Sequence, residues 1–197
     1  MTLGAADKKT PVSFSLLNSD GKEIQHFDLK DYQPISEKPV YFADVTFDGN
    51  CDVLIPYSRT AAAQHFSAFV WDADAGRLKE AENFETLSNP APDGENKTIL
   101  SSFSADKTTA YAISKFEPAQ NEFVVQKTLS YSPSSDGNSI VYKEEALKDG
   151  KLQTVNEFTV KNSGDDSYKM DPKVSEYYKD NTTWNLNSDK WQKYMNQ

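Results

Sequence analysis

The chain has one cysteine, two histidines and no uninterrupted apolar run approaching the length of a membrane span. The lone thiol, Cys51, excludes an internal disulfide and a cysteine-rich zinc site. It reads as a buried bystander without a Cys-His motif around it. The two histidines, His26 and His65, lack the nucleophile-elbow surroundings a Ser-His-Asp relay would need. His26 alternates with Ile24 and reads as a surface or cross-strand residue. Basic clusters are missing as well: 21 Lys and Arg stand against 30 Asp and Glu, a net charge of −9. Nucleic acid and anionic membranes are poor partners for that balance, whereas a basic protein would be steered toward it. Acid pairs such as Glu80/Glu82 and Glu144/Glu145 invite a glycosidase reading, but with 30 acidic residues such neighbours arise by chance. Catalysis is therefore poorly supported. Helical periodicity is also scarce, and the clearest candidate before the tail is the weak one at Ala61–His65.

What the chain does have is aromatic mass and turn chemistry. Hydrophobic residues make up only 37%, yet 11 Phe, 3 Trp and 10 Tyr each bury large areas. Short alternating runs are punctuated by Asp, Asn, Gly, Pro and Ser. Val12–Leu16 and Ile24–Leu29 flank Asp20-Gly21, which supplies a positive-φ corner for a hairpin. Further strands are expected at Val40–Ala43, Val53–Tyr57, Ser67–Asp72, Thr98–Ser104, Thr109–Phe116, Glu122–Tyr131, Ile140–Ala146 and Gln153–Lys161. Asp74–Leu78 reads as the turn after Ser67–Asp72, and Asn89–Gly94 as a loop, because two prolines interfere with regular pairing. About ten strands at regular spacing predict an all-β class, either a small β-propeller-like fold or a multi-sheet antiparallel one.

Three regions follow: a disordered segment at 1–10, an all-β domain at 11–163 and an aromatic-rich extension at 164–197. The first residues fit either a cytosolic start or a chain that lacks its signal or lipoprotein segment. In the extension, Val174–Tyr178 suggests a helical turn and Ser188–Tyr194 a short helix capped by Ser188. Its Tyr177, Tyr178, Trp184 and Trp191 read either as side chains packed on the sheet edges or as anchors of a partner-binding surface.

One stretch carries chemistry. Asp44-Val45-Thr46-Phe47-Asp48-Gly49-Asn50-Cys51-Asp52 places carboxylates at positions one, five and nine, a hydroxyl at three and glycine at six. A tight turn of that spacing can wrap oxygens around Ca²⁺, which takes about 6–8 of them. An EF-hand needs a glutamate at position twelve, where Ile55 stands, and helices where strands are expected. The spacing instead fits a strand-loop-strand calcium site built from Asp44, Thr46, Asp48, Asn50 (through its carbonyl) and Asp52. The competing reading is an Asp-rich turn whose carboxylates only accept backbone amides.

Residues Asp44–Ile55 resemble the D-x-N-x-D-G-x-x-D-l-x-i signature of FG-GAP/VCBS-like calcium-binding repeats. Phe69–Leu78 is similar to the tryptophan hairpin of that group, and Leu87–Pro90 with Lys97–Ser102 to the segment that follows it. Thr46 departs from the usual Asn. The resemblance implies a calcium-stabilised, propeller-like, non-enzymatic bacterial protein of the periplasm or cell surface, with a lipid anchor outside this chain. It further implies an immunity or inhibitor protein that occludes a basic secreted peptidoglycan hydrolase. The alternative expectation is a cell-surface module that binds carbohydrate or a host ligand through Trp184, Trp191 and their neighbouring tyrosines.

Overall fold

A computed structural model describes residues 2–5, 11–29, 40–59, 63–105 and 107–161. They form antiparallel sheets. Strands β1 (Thr2–Ala5), β2 (Pro11–Leu17) and β3 (Glu23–Asp28) make the first. Strands β4 (Tyr41–Ala43), β5 (Asp52–Arg59), β6 (Gln64–Asp72) and β7 (Arg77–Ala81) make the second. A single 3₁₀ turn at Phe84–Thr86 then leads to β8 (Ala91–Asp93), β9 (Thr98–Ala105), β10 (Thr108–Glu117), β11 (Glu122–Pro133), β12 (Ser139–Lys148) and β13 (Lys151–Lys161), ordered β13-β12-β11-β10-β9-β8. The all-β class holds as a multi-sheet architecture; among the described residues the sheets close into neither a barrel nor a propeller.

The four-stranded sheet lies in the middle because both of its faces are apolar. Along β5, Val53 and Ile55 face one way and Leu54 the other, which is why the run is nearly continuous in sequence. Val53, Ile55, Phe69 and Leu78 pack with Phe14 and Leu29 toward the first sheet. There Phe14 stacks on Phe27 at 4.4 Å, and Phe69 meets both rings edge-on at 5.0 and 4.9 Å. The Gln25 side chain completes this junction. Its Nε2–H donates to the Leu78 carbonyl at 2.7 Å, and its Oε1 accepts the Leu78 N–H at 2.8 Å, so an amide side chain imitates one more strand at the β7 edge. On the opposite face, Leu54, Phe66, Ala68, Val70 and Ala81 pack with Phe84, Leu87, Ile99 and Phe123.

Several expectations need correction. Thr2–Ala5 pairs with β2, although the segment 1–10 was expected to be disordered. Gln64 and His65 belong to β6, paired with Arg59 and Ser58, so at these two positions cross-strand pairing replaces the helical pattern expected at Ala61–His65, of which 61 and 62 lie outside the described residues. Ala91–Asp93 is a strand despite Pro92, because β8 is the last strand of its sheet and an edge strand tolerates a missing N–H. Pro56, inside β5, sits where the register shifts beside β6. Residues 164–197 lie outside the described residues, as do both helical candidates there.

Candidate metal loop

The acidic loop joins β4 to β5, and the Ala43–Asp52 pair closes it. Its non-acidic positions hold it from inside. Val45 is fully buried in the larger core, and Phe47 packs against the same cluster in the left-handed region (φ 59°). Gly49 takes φ 90° at position six, where an L side chain would be strained.

The carboxylates then fall into place. Asp44 accepts the Asp48 N–H on Oδ1 at 3.2 Å and the Gly49 N–H on Oδ2 at 3.0 Å. Asp48 Oδ1 accepts the Asn50 N–H at 2.7 Å. Asp52 is different in kind, because it is 0% exposed. Its Oδ2 accepts from Val45 N–H at 2.9 Å and from both the amide and the hydroxyl of Thr46 at 3.3 Å. Its Oδ1 accepts the Trp71 N–H at 3.0 Å, from the neighbouring β6. All these partners are neutral. Burial pushes the Asp52 carboxyl up to about 6, opposed by the amide bonds of Trp71, Val45 and Thr46, with a small further push from Asp48. Asp52 thus ties together the loop, β5 and β6.

The loop therefore brings Asp44, Thr46, Asp48, Asn50 and Asp52 into one turn, with Asp44, Asp48 and Asp52 engaged by backbone donors. Among the described residues no group of three or more His, Cys, Asp or Glu side chains is gathered as a metal cluster. The Asp44 and Asp48 oxygens that accept one N–H keep a second lone pair, whereas Asp52 Oδ2 already accepts three bonds, and the carboxylates are spread. Cys51 is exposed rather than buried, because Asp52 next to it takes the inward position on the strand. Partial burial and the carboxylates of Asp52 and Asp44 push its thiol upward, away from a reactive thiolate.

Elsewhere, Asp72 and Lys79 form an ion pair across the Trp71 hairpin, and Asp72 also accepts the Ala75 N–H at 2.9 Å. His26 is a cross-strand residue, its Nδ1 2.9 Å from the Ser15 hydroxyl, which donates to Glu23 at 2.6 Å. His65 was not expected to hold the turn after the 3₁₀ segment. Its Nδ1 lies 3.0 Å from the Glu85 carbonyl oxygen and its Nε2 3.5 Å from the Ser88 hydroxyl. That contact joins residues far apart in sequence, so no local motif signals it. Of the acid pairs, Glu144 is buried, while Glu145 faces Lys143 at 2.6 Å and the Thr128 hydroxyl at 3.2 Å. Tyr177, Tyr178, Trp184 and Trp191 lie outside the described residues, and with them the sugar-binding alternative.

No family model and no curated protein matches the chain. A solved structure of a Xanthomonas type IV secretion system related protein is similar, with a TM-score of 0.51 and 18% identity over 60% of this chain. The match spans 58% of that protein, and at this identity it speaks to the fold alone. Among the described residues no helix is long and apolar enough to cross a membrane.

Proposed function

We propose that this chain is a non-catalytic, Ca²⁺-stabilised binding protein that acts outside the cytoplasm by occluding a peptidoglycan hydrolase. The loop 44–52 carries the reading. It has oxygen-bearing residues at one, three, five, seven and nine, a glycine at six with φ 90°, and a buried Asp52 whose partners are all neutral. A divalent cation there would offset the buried charge and draw Asp44, Asp48 and the Asn50 carbonyl toward it. A staple of that kind stabilises a fold rather than performing chemistry. Modest affinity, with a Kd of about 0.1–1 mM, is the range of extracellular Ca²⁺-binding modules. The charge of −9 favours rapid encounter with a basic enzyme, acting on association rate more than on final affinity.

Two measurements test the reading. Ca²⁺ at about 100 times its Kd contributes roughly 2.7 kcal/mol, so melting should rise by about 5–10 °C over the chelated protein. An unchanged melting temperature makes the loop a plain Asp-rich turn. Calorimetry against a panel of peptidoglycan hydrolases should give at least one complex, and none at all removes the inhibitor role.

A further inference from the structure

We draw no further inference here: the strongest candidate, the aromatic face of the six-stranded sheet where Ile113, Leu129 and Tyr142 are buried with Tyr111, Tyr131 and Phe158 packed against them, carries nothing because nothing in the structure shows what covers it.

Discussion

Replacing Asp52 by alanine in the calcium-free protein removes the acceptor of four hydrogen bonds at once. The amides of Val45, Thr46 and Trp71 lose their partner, the first in a buried place and the other two in partly buried ones. A buried donor left unsatisfied costs about 1–3 kcal/mol, so three of them set a gross loss of about 3–9 kcal/mol. An opposing term comes from the charge itself. The carboxyl titrates near 6 in the fold, above the ordinary aspartate value, because burial disfavours its ionised form. For an acid raised in this way, stability is fully present below the unfolded pKa and is lost as pH rises through the folded one. At pH 7 the penalty is roughly 3 kcal/mol against the unfolded value of about 3.9, and roughly half of it is already in force at pH 5. Asp52→Ala should therefore cost about 3 kcal/mol at pH 7.5 and about 1 kcal/mol more at pH 5. Asp52→Asn, which keeps one carbonyl oxygen but turns an NH₂ toward N–H donors, should fall between alanine and wild type. Urea unfolding followed by far-ultraviolet circular dichroism, with chelator present, gives all three stabilities at both pH values. A loss under about 1 kcal/mol at pH 5 with an unchanged m value, or a loss that grows with pH, would refute the assignment of Asp52 as a buried anchor.

Two further expectations concern the core and the sheet junction. Ser114 is fully buried and its hydroxyl has no hydrogen-bond partner among the described residues, so Ser114→Ala should stabilise the protein by about 1 kcal/mol and raise its melting temperature. Gln25→Ala should cost about 2 kcal/mol in urea unfolding, since it leaves the N–H and carbonyl of buried Leu78 unpaired. Gln25→Glu should cost at least as much despite its shape, because a carboxylate cannot donate to the Leu78 carbonyl.

Much of the fold is visible in the sequence where local chemistry and tertiary pairing agree. The hairpin of β2 and β3 shows itself through alternation and through Gly21 at φ 77°, and β5 through the unbroken apolar run of a strand covered on both faces. The readings that failed did so where position in a sheet overrides residue type. Pro92 is compatible with pairing because β8 is an edge, and Gln64 and His65 extend because β5 offers partners. The loop divides in the same way. Spacing marks its oxygens, but which carboxylate turns inward depends on Val45 entering the core and on the Trp71 amide, supplied from another strand. That second, non-local bond changes what the motif means. The position a cation would most need is the one the fold can least release, since Asp52 already holds the loop to β6. A cation that takes Asp52 as a ligand must share it with those amides, so binding at this loop and the stability of the central sheet form a single equilibrium.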